Sequence, residues 1–163
     1  MDRLKKYNQQ LNIMVYVVDD EEDTLNVVKE ELEKAGFENC KYLTSSNDFI
    51  NRLDEPIHIC ILDFYFPGMD GIEILDKVRE RNKDCYVIGF SGLSDPKKIR
   101  SWFNAGLRKL VDKNESNALS ELIRYVKDAI NSIKDDFDWH ASLLRKIESY
   151  EAKVSNYESN TGL

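Results

Sequence analysis

Residues 57–63 read IHICILD, a run that is apolar apart from His58 and that ends in the carboxylate of Asp63. A strand with one face in water alternates polar and apolar residues, whereas a strand buried on both faces reads as a continuous apolar run. Residues 13–18, IMVYVV, have the same character and are followed by Asp19 and Asp20. The two runs predict central strands of a parallel sheet, each ending in acidic side chains.

Around these runs the chain alternates between predicted strands and predicted helices. Further strands are expected at residues 41–44, 85–90 and 109–111, with helices between and after them. The connections are short, so each is expected to be a right-handed parallel crossover. The predicted fold is α/β: a doubly wound, flavodoxin-like, five-stranded parallel sheet with the common strand order 2-1-3-4-5 and a C-terminal helical extension. An irregular loop is expected at residues 67–71, which contain Pro-Gly and Asp-Gly pairs.

Polar side chains follow four of the predicted strands. Asp19 and Asp20 follow the first strand, Asp63 the third, Ser91 the fourth and Lys113 the fifth. In the common order these four strands are neighbours, and such sheets bind ligands beyond the carboxyl ends of their strands. We therefore expect three carboxylates, a hydroxyl and an ammonium to converge at one edge of the sheet.

The carboxylates indicate a divalent cation. Taken alone, the acidic run at residues 19–23 fits the first turn of a helix, where acids interact favourably with the helix dipole. Asp63 joins it from a separate strand, and carboxylates held close together are costly unless a cation compensates them. Mg²⁺ is the expected cofactor because it prefers hard oxygen ligands.

This set of groups suits phosphoryl transfer. One carboxylate could act as a nucleophile toward a phosphoryl donor and form an acyl phosphate. The cation and Lys113 would neutralise charge on the transferring group, and Ser91 could hydrogen-bond it after transfer. His58 lies inside a predicted strand and His140 near the C-terminus, so both are expected to be structural.

Four motifs resemble the receiver domain of two-component response regulators, the CheY-like superfamily. They occur in the family's order and spacing over residues 12–133: VVDDE at 17–21, ILDFYFPGMDG at 61–71, FSG at 90–92 and VDK at 111–113. The resemblance implies that Asp63 is the phosphoacceptor, that Ser91 is the switch hydroxyl and that Lys113 binds the phosphoryl group. These three residues are the expected catalytic set.

The same resemblance implies a complete set of metal ligands. Asp19, Asp20 and Asp63 would bind Mg²⁺ together with the backbone carbonyl of Tyr65. Asp20 is expected to be a direct ligand and Asp19 to act through a water molecule.

The resemblance also implies partners. The phosphoryl donor would be a histidine kinase or a phosphotransfer protein, and small acyl phosphates could substitute for it. The downstream partner is unknown. It would bind a surface formed by the fourth helix, the fifth strand and the fifth helix of the predicted five-stranded receiver. A receiver phosphorylates itself, so the chain is not expected to be a turnover enzyme.

Some positions depart from the family pattern. Leu110 stands where the family usually has an aromatic residue that reorients on activation, and Asn114 replaces the proline that follows the lysine. We expect the chain to keep its phosphoryl chemistry despite both changes. We do not expect it to keep the part of the conformational change that depends on the aromatic side chain. Tyr65 and Leu93 occupy positions that influence access of hydrolytic water, so we expect slow dephosphorylation.

The C-terminal part of the sequence has a heptad pattern. Apolar residues recur at two positions of a seven-residue repeat from Leu119 to Tyr157, interrupted at Asp136 and His140, where we expect a local break in the helix. The predicted division is a flexible N-terminal segment at residues 1–11, a receiver domain at 12–134 and a helical extension at 135–163. The extension could fold back on the receiver, form a homodimeric coiled coil or begin a truncated output segment.

Composition excludes several classes of protein. The net charge is −7 and basic runs are short, so neither nucleic acid nor an anionic membrane surface is an expected partner. The longest apolar run is too short to span a bilayer, and no secretory core is present near the start, which predicts a cytoplasmic protein. A DNA-binding output is not expected, because no helix-turn-helix fits after residue 135. The three cysteines, Cys40, Cys60 and Cys85, are predicted to be small core residues.

Three other functions compete with the phosphoacceptor. A haloacid-dehalogenase-like phosphatase would need a second aspartate where Tyr65 stands. A flavodoxin-like flavin binder would need a hydroxyl-rich phosphate loop after the first strand, where the acidic run would repel a phosphate. A receiver-like binding module that is never phosphorylated is the main alternative, and Leu110 is the feature that favours it.

Overall fold

The computed structural model describes residues 12–92 and 95–162 of the 163-residue chain. The predicted flexible segment at residues 1–11 lies outside the described residues. Leu93, to which part of the slow-dephosphorylation prediction refers, lies outside them as well.

A parallel sheet forms the centre of the fold. The described residues include seven strands: β1 (Val15–Val18), β2 (Cys40–Leu43), β3 (Ile59–Leu62), β4 (Tyr65–Phe66), β5 (Met69–Asp70), β6 (Tyr86–Ser91) and β7 (Lys109–Asp112). Five of them pair in parallel in the order β2-β1-β3-β6-β7. Because β4 and β5 form a separate small sheet, this order is the predicted 2-1-3-4-5 arrangement. The predicted fold class is confirmed.

Helices connect the strands. They are α1 (Glu22–Lys34), α2 (Ser46–Asn51), α3 (Gly71–Arg81), α4 (Pro96–Asn104) and α5 (Ala118–Thr161). Side chains satisfy the first free N–H groups of three of them. Ser45 accepts from Asp48 N–H at 3.2 Å, Asp70 from Ile72 N–H at 3.3 Å, and Asp95 from Lys97 N–H at 2.9 Å.

The central strands are buried on both faces, as their continuous apolar sequences predict. Every residue of β1 and β3 is buried. Cys60 and Cys85 are also buried and unpaired, which agrees with their predicted role as small core residues, whereas Cys40 is half-buried. His58 is structural too, because its Nδ1 accepts a hydrogen bond from the Met14 N–H at 3.0 Å.

The loop after Asp63 is more regular than predicted. Instead of an irregular segment, β4 and β5 form a short antiparallel hairpin. The two residues between the strands are Pro67 and Gly68, and Gly68 has φ +80°. A proline followed by a glycine with positive φ is typical of a type II turn, so the signal for the hairpin was present in the sequence.

The C-terminal helix also differs from the prediction. The expected break near Asp136 and His140 is wrong, because α5 is continuous from Ala118 to Thr161. The segment from 118 to 161 contains no glycine or proline, and exposed polar side chains are compatible with a helix. His140 Nδ1 lies 2.6 Å from the Asp136 carbonyl oxygen, one turn earlier in the same helix.

The chain divides into two compact units between Ala129 and Ile130. The first unit contains the sheet and its flanking helices, and the second consists of the C-terminal part of α5. Among the described residues, no helix has the length and apolar character needed to cross a bilayer.

Candidate functional site

The parallel register brings the predicted site residues to one edge of the sheet. Val18 of β1 pairs with Leu62 of β3, so Asp19 and Asp63 leave adjacent strands at the same level. Ser91 ends β6 opposite Asp112 of β7, and Lys113 follows directly. The convergence expected from the strand order is therefore present.

Asp63 accepts three hydrogen bonds from neighbouring groups at this edge. Its carboxylate is 5% exposed. Its Oδ1 accepts hydrogen bonds from the Ser91 hydroxyl at 2.8 Å and from the Tyr65 backbone N–H at 3.2 Å. Its Oδ2 accepts one from Lys113 Nζ at 3.1 Å. These donors hold the carboxylate in one orientation at the end of β3.

Lys113 lies between two buried carboxylates. Its Nζ is 2.5 Å from Asp19 Oδ2 and 3.1 Å from Asp63 Oδ2. Burial acts to lower the pKa of Lys113, but the hydrogen bond to Asp19 and the charges of Asp63 and Asp19 outweigh it and raise that pKa. The ammonium is therefore held in its charged form and neutralises part of the negative charge at this edge.

Asp19 pairs with Lys113 under desolvation. Burial raises the pKa of Asp19, although hydrogen bonds from Lys113 Nζ and from the Glu21 N–H act in the opposite direction. The Glu21 N–H donates to Asp19 Oδ1 at 2.9 Å. Each Asp19 oxygen thus has a donor within the protein.

Asp20 differs from its two neighbours because its side chain is exposed. Asp19, Asp20 and Asp63 each present a carboxylate oxygen, and the three oxygens lie within 4.8 Å of one another. Hard oxygen atoms gathered at this spacing, two of them from buried side chains, match the preferences of Mg²⁺. The donor set therefore fits the cation that the sequence analysis predicts.

A groove beside the acidic cluster extends the site toward α4. Its lining includes Asp20, the hairpin residue Tyr65, and Lys98 and Trp102 of α4. The Trp102 ring stacks on Phe64 with centroids 4.2 Å apart and meets the Tyr65 ring edge-on at 6.2 Å. Lys98 and Trp102 were not predicted as site residues; their four-residue spacing places them on one face of a helix but does not show that this face meets the hairpin.

Leu110 fills the space beside a glycine in the neighbouring strand. A Cβ atom on Gly89 would lie 2.8 Å from Leu110 Cδ1 and 3.1 Å from Phe64 Cε2. The Asn114 N–H donates to Asp112 Oδ1 at 2.9 Å, a hydrogen bond that a proline at this position could not make. The two departures from the family pattern are therefore accommodated by local contacts.

The structure thus brings together five predicted residues: Asp19, Asp20, Asp63, Ser91 and Lys113. Tyr65 meets Asp63 through its backbone N–H, whereas a metal-binding role for its carbonyl stays a prediction. The hydrogen bonds of His58 and His140 are made to Met14 and Asp136, neither of which belongs to this set.

Comparison with known proteins gives a consistent result. The family model for the response regulator receiver domain matches residues 15–127. The BeF3-activated receiver domain of DrrB, a response regulator of Thermotoga maritima, is 29% identical to this chain. The two superpose with a TM-score of 0.65, covering 73% of this chain and 97% of that one.

Two curated relatives are much longer proteins. A cyclic di-GMP phosphodiesterase of Thermotoga maritima is 24% identical over 99 residues, which are 61% of this chain and 26% of the relative. Protein-glutamate methylesterase/protein-glutamine glutaminase 2 of Caulobacter vibrioides is 28% identical over 124 residues, 74% of this chain and 35% of the relative. Most of each relative lies outside the match, so the match does not transfer their enzymatic activities.

Proposed function

Because this chain belongs to the response regulator receiver family, we propose that it takes a phosphoryl group onto Asp63 from a histidine kinase or phosphotransfer protein in a Mg²⁺-dependent reaction. The observation that carries the proposal is the environment of the Asp63 carboxylate. It is buried, held by Ser91, Tyr65 and Lys113, and adjacent to two further carboxylates.

Asp63, Lys113 and Ser91 have separate roles in the proposed phosphoryl transfer. An Asp63 carboxylate oxygen attacks phosphorus, and the bond between phosphorus and the donor atom breaks as its electron pair leaves with the donor, which gives an acyl phosphate. Lys113 Nζ, within 3.1 Å of Asp63, supplies positive charge to the incoming phosphoryl oxygens. The Ser91 hydroxyl, which donates to Asp63 in this structure, can rotate to donate to a phosphoryl oxygen.

Asp19, Asp20 and Asp63, with the Tyr65 carbonyl, would hold Mg²⁺. The bound cation would neutralise negative charge shared by the carboxylates and the phosphoryl group. Both Asp19 oxygens already have protein donors, which supports contact through water, whereas the exposed Asp20 suits a direct ligand.

The hairpin geometry supports the role of the Tyr65 carbonyl. The Gly71 N–H donates to the Phe64 carbonyl at 3.1 Å, so Phe64 directs its backbone groups toward the partner strand. Successive residues of an antiparallel strand direct these groups to opposite sides. The Tyr65 N–H faces Asp63, and because the N–H and C=O of one extended residue point to the same side, the Tyr65 carbonyl is expected on that side too.

The product is expected to be long-lived. The Tyr65 ring is anchored edge-on against Trp102 beside the groove that adjoins the acidic cluster. A bulky group at this position restricts the approach of hydrolytic water. Replacing Tyr65 with alanine should shorten the phosphoryl half-life severalfold, measured as loss of the phosphorylated mass over time; an unchanged half-life would remove Tyr65 from this role.

We further propose that the output is a protein contact with a downstream partner, and that the protein acts in the cytoplasm. Its three cysteines are free, as is usual in a reducing compartment. The proposal includes a homodimer formed through the C-terminal part of α5. Phosphorylation can bias a surface only to the extent that the phosphoryl group stabilises one conformation more than another.

The experiment that tests the proposal uses a small phosphoryl donor. The chain is incubated with acetyl phosphate and Mg²⁺, and its intact mass is followed. We expect a gain of one phosphoryl group that is lost in Asp63→Asn and on chelation of Mg²⁺. Asp76→Asn, an exposed carboxylate on α3, is the matched control and should retain the gain. No gain in the parent chain would favour the binding module that is never phosphorylated.

A further inference from the structure

The second compact unit carries a row of exposed apolar side chains. Leu143, Ile147, Tyr150, Val154 and Tyr157 are spaced by four, three, four and three residues along α5. Their exposed fractions range from 40% at Leu143 to 65% at Tyr157. We call these five residues the tail seam. The cost of leaving such a stripe in water indicates that a partner covers it.

Charged residues flank the tail seam asymmetrically. Lys146 and Lys153 lie one residue before its members Ile147 and Val154, and so occupy one flank. Glu151 and Glu158 lie one residue after Tyr150 and Tyr157, and so occupy the other flank. All four charged side chains are exposed. In heptad terms the lysines are at g and the glutamates at e, the positions that set partner choice and orientation in coiled coils.

This asymmetry specifies the partner and its direction. We infer that the tail seam is covered by a second copy of this chain, packed parallel and in register. In a parallel pair each g residue faces the e residue five positions later in the partner helix. Lys146 would then face Glu151 of the second copy, and Lys153 would face Glu158 of the second copy. The two-fold relation doubles these to four opposite-charge pairs.

The antiparallel arrangement is disfavoured by the same charges. It would place g opposite g and e opposite e, so lysines would meet lysines and glutamates would meet glutamates. Like charges held at this distance destabilise association, and the arrangement offers no compensating pair. Charge therefore discriminates between the two directions although the apolar seam alone does not.

Residue types within the seam favour two helices rather than more. Ile147 and Val154 are β-branched residues at position a, a choice that favours two-stranded parallel coils, while the d positions are Leu143, Tyr150 and Tyr157. A hollow lined by Ile147, Tyr150 and Val154 provides a hole into which a side chain of the partner helix can insert. The seam thus matches itself in both shape and charge.

The flanks become apolar toward the start of the seam. Trp139 is at position g and Leu144 at position e, and both are exposed, by 61% and 60%. In the parallel register Trp139 would face Leu144 of the second copy. An apolar pair at one end and ionic pairs at the other favour this register, because a slip by one heptad would set Trp139 of one copy opposite Glu151 of the other.

This inference rests on the homodimer included in the proposed function and adds its direction, register and specificity pairs. The first test measures the mass of the full-length chain in solution by sedimentation equilibrium over a range of concentrations. We expect twice the mass of one chain at the upper concentrations. A single-chain mass at every concentration would overturn the inference.

Charge reversal tests the pairing. K146E/K153E makes all four flanking residues acidic, and E151K/E158K makes them all basic, so each variant alone should dissociate at least about tenfold more readily than the parent chain. An equimolar mixture of the two variants should dimerise again. Dimers of unchanged affinity in both variants would contradict the assigned pairs. Circular dichroism of each variant establishes that α5 is still formed.

Disulfide trapping tests the direction. A cysteine in place of Val154 faces the same position of the second copy only in the parallel, in-register pair, so V154C should form a covalent dimer under mild oxidation. S155C, a neighbour outside the seam, is the matched control, and the parent chain reports on the three native cysteines. Equal trapping of V154C and S155C would overturn the parallel register.

The failure of this inference can be separated from failure of the proposed function. Every variant is also incubated with acetyl phosphate and Mg²⁺, and the mass gain on Asp63 is measured. The tail variants should keep that gain, because their substitutions lie outside the acceptor site. A monomeric chain that is still phosphorylated counts against the dimer alone, whereas a dimeric chain that is not phosphorylated counts against the acceptor alone.

Discussion

The edge of the sheet where Asp19, Asp63, Ser91 and Lys113 meet, here called the acceptor edge, differs from the tail seam. Polar residues are usually exposed and apolar residues buried, and each region departs from one half of this rule. At the acceptor edge, Asp19, Asp63 and Ser91 are polar and buried. At the tail seam, residues such as Ile147 and Tyr150 are apolar and exposed. The buried polar groups have hydrogen-bond partners within the chain, whereas the apolar stripe is exposed along the second unit. We propose a function for each region: phosphoryl chemistry at the first and association at the second.

The same substitution should therefore have different effects in the two regions. Ile61 is 1% exposed in β3, and Ile147 is 44% exposed in the tail seam. Ile61→Asn buries an amide in the core and should lower the free energy of unfolding by about 4 kcal/mol or more. Ile147→Asn should lower it by less than about 1 kcal/mol for the monomer and instead weaken dimerisation. Urea unfolding at low protein concentration measures the free energy of unfolding of both variants. Equal losses in the two variants would contradict the prediction.

Lys113 supplies a positive charge from the protein itself at the acceptor edge. Lys113→Met leaves two buried carboxylates without their compensating charge, and we expect the free energy of unfolding to fall by about 3 kcal/mol at neutral pH. Burial already raises the pKa of Asp19, and removing the ammonium raises it further. The native state then binds protons more readily than the unfolded state, so the lost stability should return as pH falls.

The Lys113→Met variant also separates stability from chemistry. Mg²⁺ should stabilise it more than it stabilises the parent chain, while phosphorylation by acetyl phosphate should be at least about 100-fold slower. Lys109→Met, at the start of the strand β7 that Lys113 follows, is the control for removal of a lysine. A variant that is phosphorylated at the parent rate would show that Lys113 acts only in folding.

A smaller effect is expected where the backbone beside Asp63 is crowded. A Cβ on Gly71 would lie 2.5 Å from the Phe64 Cα, so Gly71→Ala must displace the backbone next to the acceptor. We expect a loss of about 2 kcal/mol in unfolding free energy together with slower phosphorylation. Gly68→Ala is the matched control: its φ of +80° makes alanine strained, but nothing lies within 4 Å. It should cost about 1 kcal/mol and leave the phosphorylation rate nearly unchanged.

The smallest predicted effect comes from the half-buried side chain of His58. Burial lowers the pKa of His58, whose Nδ1 accepts the Met14 N–H. Because the native state resists protonation more than the unfolded state does, stability should be greatest above the ordinary histidine pKa and should decline as pH falls through that value. His58→Asn should flatten this part of the pH dependence in urea unfolding. A parent curve that rises toward low pH over the same range would contradict the assignment.

The acceptor edge could be predicted closely from the sequence because its geometry follows from strand order. Once residues 57–63 and 13–18 are recognised as central strands, the carboxyl ends of both lie at one edge, and Asp19 and Asp63 must approach each other. The side chains that complete the edge, Ser91 and Lys113, come from strands whose neighbours are fixed by the same order.

Local geometry was harder to predict. The hairpin at Tyr65–Asp70 depends on a two-residue turn, and its Pro-Gly pair was interpreted only as a loop although it is typical of a type II turn. The break at Asp136 and His140 was expected because both are polar residues at apolar positions of the heptad pattern. They interrupt the apolar stripe, but the helix itself continues through them. Lys98 and Trp102 were missed because the side of α4 that faces the hairpin is decided by tertiary packing, which a single helical stripe does not reveal.

We propose that the buried carboxylate of Asp63 is the group that becomes phosphorylated. An acyl phosphate on an aspartate is reduced by borohydride to homoserine, whereas an unmodified aspartate is not. The full-length chain is treated with acetyl phosphate and Mg²⁺, reduced, digested and sequenced by mass spectrometry. We predict homoserine at position 63 and nowhere else among the aspartates. Homoserine at position 19 or 20 with an unmodified Asp63, or no homoserine at all, would contradict it.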